Sequence, residues 1–249
     1  MKRSILRIAI LLLFIPLAAM AGEWEEIYTE AEVKVSKMDI EGSKLVAFKG
    51  DTIMQASPNR VLYVLMDNDH RIEWVGRLYE NRVLETNGQF EYVLYQAFDL
   101  PALFMSRDYV YRGKVTETDE GIINLKMGSI EHDKAPETVG VRAQLVNSHY
   151  RLTPQTDGTT RVEVEIQTDP KGWMPAWLVN LVQKSWPLDT LNGLRGQLDK
   201  PFTGEYPLPG DEARAAAAAE QAAQTATPED AVDEPAPEGD GDAPDEEAP

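Results

Sequence analysis

Apolar and polar side chains alternate along two early segments of the chain, 32–38 and 45–54, with Glu41-Gly42-Ser43 between them. A period of two is typical of strands that bury one face, so these segments are predicted to pair as antiparallel strands. Ser57 and Pro58 follow, and serine as N-cap with proline at the first helical position is typical of a helix start. The pattern therefore predicts the order strand, strand, helix.

Three more pairs of alternating segments follow, and each pair is joined by a short turn that contains glycine. The pairs are 78–85 with 89–97, 109–118 with 122–127, and 141–153 with 159–168. Asn87-Gly88 in the first of these turns is a sequence that type I′ hairpins prefer. Most of the domain is therefore predicted to be an antiparallel meander.

A long helix is predicted at 174–198, where apolar residues recur at helical spacing. Its apolar face is predicted to contain Trp177, Leu178, Leu181, Val182 and the later leucines. Pro175 suits the first turn, and the interior Pro187 predicts a kink. Such a helix must cover the concave side of the sheet, which gives an α+β fold. The space between helix and sheet could hold a ligand or be filled by side chains, and the pattern does not decide between them.

The N-terminus has the composition of a secretory signal peptide. Three basic residues precede an apolar run at 8–15, and Ala19-Met20-Ala21 supplies the small-x-small pattern of a cleavage site. The run is shorter than the roughly 20 residues that a membrane-spanning helix needs. Residues 1–21 are therefore predicted to be a signal peptide removed after Ala21, which predicts a periplasmic or secreted protein.

Charge and composition change at about residue 210. The formal net charge is −18, and 211–249 contains thirteen acidic residues against Arg214 alone. Residues 210–249 are rich in Ala, Pro, Glu and Asp, which predicts a disordered acidic tail with at most a short helix at 215–224. Residues 22–209 are predicted to form one domain. Its moderate acidity disfavours a nucleic-acid partner, which needs cations that neutralise phosphates.

The sequence offers little catalytic chemistry. It contains no cysteine, which removes disulfides, thiol catalysis and cysteine metal sites. His70, His132 and His149 lack the spacing of metal ligands. Arg107 and Asp108 are adjacent on a predicted strand and face opposite sides, so a structural role is expected for the pair. No nucleophile elbow or phosphate loop is recognisable, and no catalytic residue, metal or cofactor is predicted.

Several stretches, taken together and in order, resemble the START (StAR-related lipid-transfer) domains, including their bacterial members. They are Ala47-Phe48-Lys49-Gly50, Arg71-Ile72-Glu73-Trp74, Ser106-Arg107-Asp108-Tyr109-Val110-Tyr111, Asp157-Gly158-Thr159-Thr160-Arg161-Val162, the distinctive run from Asp169-Pro170-Lys171-Gly172-Trp173 to Asn180, and Leu191-Asn192-Gly193-Leu194-Arg195. The resemblance extends over nearly all of 23–200. It implies a helix-grip (START-like) fold, in which a curved antiparallel sheet wraps around a long C-terminal helix.

The resemblance also implies a hydrophobic tunnel for one lipid, with the C-terminal helix and a loop near 131–138 as its lid. If Tyr109 opens its strand as in the family, Tyr109 and Tyr111 face inward. The residues expected to line the cavity are Tyr109, Tyr111, Tyr92, Leu94, Trp177 and Leu181. Those expected to have structural roles are Trp74, Arg107, Asp108 and Pro175.

The chain departs from the family at positions where some members carry a buried charge. The corresponding inward positions here are Gly113 and Val115, and Arg112 is expected to face outward. A buried cation that recognises phosphate is therefore not predicted. A fatty-acyl or sterol-like ligand fits at least as well as a phosphatidylcholine.

Three functional classes follow from these observations. The first is a monomeric carrier that binds a lipid or another hydrophobic small molecule and contacts membranes transiently. The second is an enzyme on the same fold, such as the related cyclases and aromatases. The third is a protein-interaction module whose cavity has collapsed. The first class is expected, and it would work passively because each buried methylene contributes about 0.8 kcal/mol.

Overall fold

The structure is a computed structural model of the chain, and it describes residues 22–100 and 104–225. Its strands are β1 (Glu25–Glu30), β2 (Val33–Asp39), β3 (Val46–Met54), β4 (Leu78–Thr86), β5 (Glu91–Phe98), β6 (Arg107–Glu117), β7 (Ile123–Ser129), β8 (Val141–Arg142), β9 (Gln144–Pro154) and β10 (Thr160–Asp169). Its helices are α1 (Pro58–Met66), α2 (Ala176–Leu198), α3 (Asp211–Thr225) and a 3₁₀ turn, Arg71–Glu73. The predicted signal peptide and the end of the predicted tail lie outside the described residues.

The ten strands form a single sheet in the order β1-β2-β3-β10-β9-β7-β6-β5-β4. Neighbours on this path are antiparallel, while the short β8 runs parallel to β6. The predicted hairpins are confirmed, including the β4–β5 pair around Gly88, whose φ of 66° suits glycine. With α2 on its concave side, the sheet gives the helix-grip α+β fold that the sequence predicts.

Two parts of the sheet differ from the prediction. β1 was not expected, because four of its six residues are polar and it shows little apolar alternation. The predicted strand at 141–153 is divided at Ala143, whose N–H donates to the carbonyl of Asp108 (2.9 Å). Residues before this point pair with β6, and residues after it pair with β7 and β10. The single alternating segment in the sequence therefore forms two strands with different neighbours.

Helix α1 begins as its sequence predicts. Ser57 is the N-cap, its hydroxyl accepts a hydrogen bond from the N–H of Arg60 (3.1 Å), and Pro58 occupies the first helical position. Val61, Leu62 and Leu65 are buried and join the main core on the concave side of the sheet. The helix therefore covers one end of that side.

Helix α2 crosses the concave side of the sheet, and Pro187 lies within it. Pro175 is its N-cap in an extended conformation, one position outside the helix. The C-terminal half is tightly packed, with Leu191 and Leu194 fully buried. A Cβ on Gly50 of β3 would lie 2.7 Å from Leu191 Cδ1, so glycine at this position allows the helix to approach the strand.

Residues 199–209, here called the C-terminal strap, continue from α2 across α1. The N–H of Tyr206 donates to the carbonyl of Asn59 (3.0 Å), and Asn59 Nδ2 donates to the carbonyl of Tyr206 (2.9 Å). Tyr206 Oη donates to the carbonyl of Gln89 (2.7 Å), and the ring of Phe202 stacks on His70 at 3.7 Å. The strap therefore fixes the end of α2 to the rest of the domain.

The described residues divide into two units, one that ends at Pro209 and one that begins at Gly210. The second unit contains α3, an alanine-rich helix that starts earlier than the predicted 215–224. Asp211 and Glu212 lie in its first turn, where carboxylates interact favourably with the helix dipole. In the part of the chain that the structure describes, no helix has the length and apolar character needed to cross a membrane.

Candidate functional site: a cavity under the long helix

A cavity of about 170 Å³ lies between the sheet and the N-terminal half of α2. Most of its wall is apolar. The sheet contributes Gln96, Phe98, Arg107, Tyr109, Tyr111, Met127, Leu145, Ser148, Tyr150, Ile166 and Thr168, α2 contributes Val179, Val182, Gln183 and Trp186, and the connections contribute Arg71, Trp74, Val75, Gly76, Arg77, Asp99, Leu100, Pro170 and Met174. The site thus draws on the strands β5, β6, β7, β9 and β10, on α2 and on the connections next to them.

A buried guanidinium stands at one side of the cavity. Arg71 is 5% exposed, and its Nη2 donates to the carbonyl of Leu65 at the end of α1. Its Nε is buried and has no hydrogen-bond partner. A charge removed from water without full pairing costs several kcal/mol, so this group favours an occupant that accepts hydrogen bonds or carries negative charge.

Arg71 reaches the wall of the cavity because the 3₁₀ turn that carries it lies close to α2. Trp74 ends the turn, and a Cβ on Gly193 of α2 would lie 2.5 Å from the Trp74 carbonyl oxygen. Glycine at 193 therefore lets the connection after α1 pass directly against the helix. The side chain of Trp74 is buried and lines the cavity, in keeping with the structural role expected of it.

Three tyrosines line the cavity together with the guanidinium, namely Tyr109, Tyr111 and Tyr150. Burial raises the pKa of Tyr111 and Tyr150, and in both cases the charge of Arg71 opposes this rise. Burial also raises the pKa of Tyr109 to about 12. These phenols are therefore protonated at neutral pH and can donate hydrogen bonds to a polar group inside the cavity.

A second polar group joins the sheet to α2. Gln183 Nε2 donates to Thr168 Oγ1 (2.5 Å), and both side chains are buried. A hydrogen bond with Thr168 also acts on the phenol of Tyr109 and opposes the effect of burial on its pKa. This bond connects the middle of the N-terminal half of α2 to β10.

Arg107 and Asp108 face opposite sides of the sheet, as their positions on the strand predict. Arg107 lines the cavity, and it donates to the carbonyls of Met105, Pro170 (3.0 Å) and Lys171 (3.2 Å). Asp108 is fully buried on the outer side, where it pairs with Arg142 (2.5 Å). Arg107 therefore holds the segment after β10 on the inner side, and Asp108 holds Arg142 on the outer side. Each residue has the structural role that was expected.

The loop at 131–138 does not lie over the cavity. Ala135 and Ile130 pack on the outer side of the sheet against Val93, Tyr95, Ala97 and Val110. Arg142 Nη2 donates to the carbonyl of Pro136 (2.8 Å), which ties the loop to the Asp108 pair. The expectation that this loop forms part of the lid is wrong for this structure.

The structure brings only some of the predicted cavity residues into the wall. Tyr109 and Tyr111 line the cavity, whereas Tyr92 and Leu94 are buried in the core beyond it. Trp177 is 68% exposed and Leu181 is 59% exposed, so the expectation that they close the cavity is wrong here. The buried face of α2 runs through Val179 and Gln183 instead. Whether any of these residues binds a ligand stays a prediction.

Sequence reasoning missed the buried Arg71, because charge was sought only on the strand that carries Gly113. Gly113 and Val115 of that strand are uncharged and Arg112 is exposed, as expected, but Arg107 at the start of the strand faces the cavity. The missed cation comes from a different element, within the Arg71-Ile72-Glu73-Trp74 motif. Tyr150 was also missed, although its alternation with Ser148 and Leu152 on β9 would have indicated an inward side chain.

Comparison with known proteins agrees with this architecture. The sequence profile of the START domain matches residues 16–201. The chain belongs to the START domain family. An uncharacterized protein of Pseudomonas aeruginosa is 29% identical over 188 residues, which are 73% of this chain and 90% of that protein. Rho GTPase-activating protein 7 of Homo sapiens is 30% identical over 150 residues, but these are only 10% of that much longer protein.

Solved structures of START proteins share the fold. The STAR-related lipid transfer protein of Xanthomonas axonopodis, solved as fragment 25–204, has a TM-score of 0.64 at 24% identity and covers 71% of this chain and 99% of the fragment. The lipid transfer and protein localization domain of human StarD13 has a TM-score of 0.62 at 21% identity, with 73% and 91% covered. At these identities the likeness establishes the helix-grip fold of the START domain.

Proposed function

We propose that this START domain binds a lipid or another hydrophobic small molecule in the cavity under α2 and carries it without chemical change. The observation that supports this proposal most directly is a buried guanidinium with a free Nε, Arg71, in an otherwise largely apolar cavity. Its ligand would have an apolar body and one acidic or strongly accepting head group. A fatty-acid carboxylate and a lipid phosphate share this chemistry.

The volume of the cavity sets a condition on binding. Ligand pockets of drug-sized molecules span about 300–1,000 Å³, whereas this cavity measures about 170 Å³. A lipid chain therefore requires the N-terminal half of α2 to move outward as the ligand enters. The small volume also supports the alternative of an interaction module with a collapsed cavity, which binding measurements separate from a carrier.

The first experiment is native mass spectrometry of the mature protein purified from its own cells, followed by lipid extraction. A stoichiometric adduct is expected, and its extracted mass would identify the ligand. A clean apo mass that persists after incubation with a lipid panel contradicts the carrier proposal and favours the interaction module. Conversion of a bound polyketide-like substrate would instead favour the cyclase alternative.

The role of Arg71 is tested with Arg71→Gln and a matched control, Arg112→Gln, which removes an exposed guanidinium from β6. Hydrogen bonds to charged groups contribute about 1.5–3 kcal/mol, so R71Q is expected to weaken binding of an acidic ligand by about 10-fold to 100-fold. R112Q should bind like the wild type. Equal affinities of R71Q and wild type would remove the head-group role from Arg71.

We also propose that the outer face of α2 contacts membranes during loading. Trp177 and Leu181 are exposed four residues apart on α2. Just before the helix, the exposed Trp173 stacks on Phe104, with 6.2 Å between the ring centroids. Exposed apolar clusters mark interaction sites, and tryptophan favours the membrane–water interface. The cluster lies on the same half of α2 that covers the cavity.

Membrane contact is tested by vesicle sedimentation with neutral phosphatidylcholine vesicles. The Trp173→Ser, Trp177→Ser double variant is expected to lose most of the bound fraction, while Tyr79→Ser, which removes an exposed aromatic ring from β4, should retain it. Loss of vesicle binding in Y79S to the same extent would contradict a specific role of the tryptophans.

Export to the periplasm or the outside of the cell completes the proposal. It is supported by the signal-like composition of residues 1–21. Cell fractionation and N-terminal sequencing are the measurements that check it, and a mature chain that begins at Gly22 is expected. A cytoplasmic chain that retains Met1 would contradict export without affecting the binding proposal.

A further inference from the structure

Tyr92 of β5 and Gly113 of β6 form a cross-strand pair on the concave side of the sheet. A Cβ on Gly113 would lie 2.3 Å from Tyr92 Cζ and 2.6 Å from its Oη. Real Cβ atoms do not approach other heavy atoms so closely, so the outer end of the tyrosine ring occupies the space of a side chain at position 113. Glycine is therefore required here for the ring to lie across the neighbouring strand.

This pair lies where the cavity ends. On β5 the inward residues Gln96 and Phe98 line the cavity, and Leu94 and Tyr92, farther along the same face, do not. On β6 Tyr109 and Tyr111 line it, and Gly113 does not. Beyond this point the concave side is filled by core residues. The cavity thus stops at the ring of Tyr111. This ring contacts the ring of Tyr92 edge to face, with 6.5 Å between the ring centroids.

The Tyr92 ring supports the end wall from behind. It is 2% exposed and packs within the main core, so its position is fixed on all sides. Its Oη is buried, and the neighbouring Arg71 lowers the pKa of the phenol against the effect of burial. The ring therefore separates the cavity and its guanidinium from the packed part of the sheet.

We propose that Tyr92, seated on Gly113, supports the ring of Tyr111 as the floor of the cavity and thereby limits the length of the ligand that the domain accepts. The inference rests on the proposed binding function and deepens it, because it names the residue that determines ligand size. Replacing the Tyr92 ring by a shorter side chain opens space over Gly113 into which the ring of Tyr111 can move, and this lengthens the cavity. Adding a methyl group at 113 displaces the ring toward Tyr111 and shortens the cavity.

Two variants with opposite expected effects test the floor. Tyr92→Leu removes the outer part of the ring and keeps an apolar core residue, and Gly113→Ala displaces the ring. Tyr92→Phe is the matched control, because it keeps the ring and removes only the hydroxyl. Affinities for decanoate, myristate and stearate are measured by competition with a fluorescent fatty acid on the mature protein.

Y92L is expected to shift the preference toward the longer chains by about tenfold, which corresponds to about two additional buried methylenes. G113A is expected to shift it toward decanoate, and Y92F should keep the wild-type order. The same order of affinities in wild type, Y92L and G113A would overturn the floor assignment.

A second measurement separates failure of the floor from failure of the proposed function. If wild-type protein binds none of the three fatty acids, the proposed binding of such acids fails, and xenon uptake in crystals tests the floor alone. Y92L crystals are expected to show an additional xenon site over Gly113 that joins the cavity, and Y92F crystals should not. Absence of that site in Y92L would overturn the floor.

Discussion

The two halves of α2 belong to one continuous helix, yet they cover very different surfaces. The C-terminal half is packed against the sheet through Leu191 and Leu194, which are fully buried, and the strap holds its end. The N-terminal half covers a cavity, and it leaves Trp177 and Leu181 exposed on its outer face. A helix can therefore serve as part of the core along one half and as the wall of a cavity along the other.

Pro187 lies close to the point where the two halves meet. Proline has no N–H, so the helical hydrogen bond to the carbonyl four residues earlier is missing at this position. That carbonyl belongs to Gln183, whose side chain holds the N-terminal half to Thr168 of β10. Pro187 and the Gln183–Thr168 hydrogen bond thus lie one helical turn apart, and the difference between the halves can be tested residue by residue.

The largest effect on stability is expected from Leu194→Ala in the packed half. Truncation of a fully buried leucine costs about 2–5 kcal/mol, because the cavity it leaves is only partly refilled. Leu181→Ala, the same change on the exposed face of the other half, should alter the free energy of unfolding by less than about 0.5 kcal/mol. Urea denaturation of both variants measures the difference, and equal losses would contradict the division of α2.

A smaller loss is expected from Gly50→Ala. The new Cβ would lie 2.7 Å from Leu191 Cδ1 and 2.9 Å from Pro187 Cβ, so the packed half must shift away from β3. Overpacking of this kind costs about 1–3 kcal/mol. Gly128→Ala on β7 is the control, because nothing lies within 4 Å of a Cβ there. Chemical denaturation should rank G50A clearly below G128A, and the reverse order would contradict close packing at β3.

Gln183→Met is expected to cost about 1 kcal/mol, since it removes one buried hydrogen bond and keeps the volume of the side chain. Its larger consequence concerns kinetics, because the N-terminal half loses its attachment to β10. Stopped-flow exchange of a fluorescent fatty acid should be faster in this variant than in wild type. An unchanged exchange rate would show that the bond does not hold the cover.

The smallest effect is a pH dependence of the stability at the contact between His70 and the C-terminal strap. The carboxylate of Asp67 accepts a hydrogen bond from His70 Nδ1 (2.7 Å) and raises the pKa of the imidazole, whose ring stacks on Phe202 of the strap. A raised pKa in the folded state gives stability below the unfolded value of about 6.5, and this stability is lost as pH rises through the folded pKa.

The loss of melting temperature caused by Asp67→Asn should therefore shrink as pH rises from about 6 to about 8. A constant part remains, because Asp67 also accepts hydrogen bonds from the N–H groups of Asp69 and His70. His149 titrates in the opposite sense, since burial lowers its pKa, but it contributes equally to both proteins and cancels in the difference. A difference that grows with pH would contradict the assignment.

Elements that depend on neighbours in sequence were predictable. Ser57 and Pro58 specify the start of α1, and Asn87-Gly88 specifies a hairpin, because each acts through its own backbone geometry. The alternation of Tyr109, Tyr111 and Gly113 on β6 also gave the correct inward face. These features need no knowledge of what packs against them.

Features that depend on distant partners were not predictable in the same way. The buried face of α2 is rotated from the predicted one, since Gln183 is buried against Thr168 while Trp177 is exposed, and hydropathy favours the reverse. Arg71 is buried because Gly193 lets its turn approach α2, a contact across more than a hundred residues. The outer position of the 131–138 loop likewise depends on Tyr95 and Arg142.

The C-terminal strap determines where a truncated form of this domain should end. The family profile ends at residue 201, ahead of Phe202 and Tyr206. A chain shortened to that boundary would keep every residue that lines the cavity, yet it would expose the ring of Phe90 and leave the carbonyls of Asn59 and Gln89 without their partners. The match to the family ends before the strap, whereas the contacts of the strap mark the length of chain that the folded domain uses.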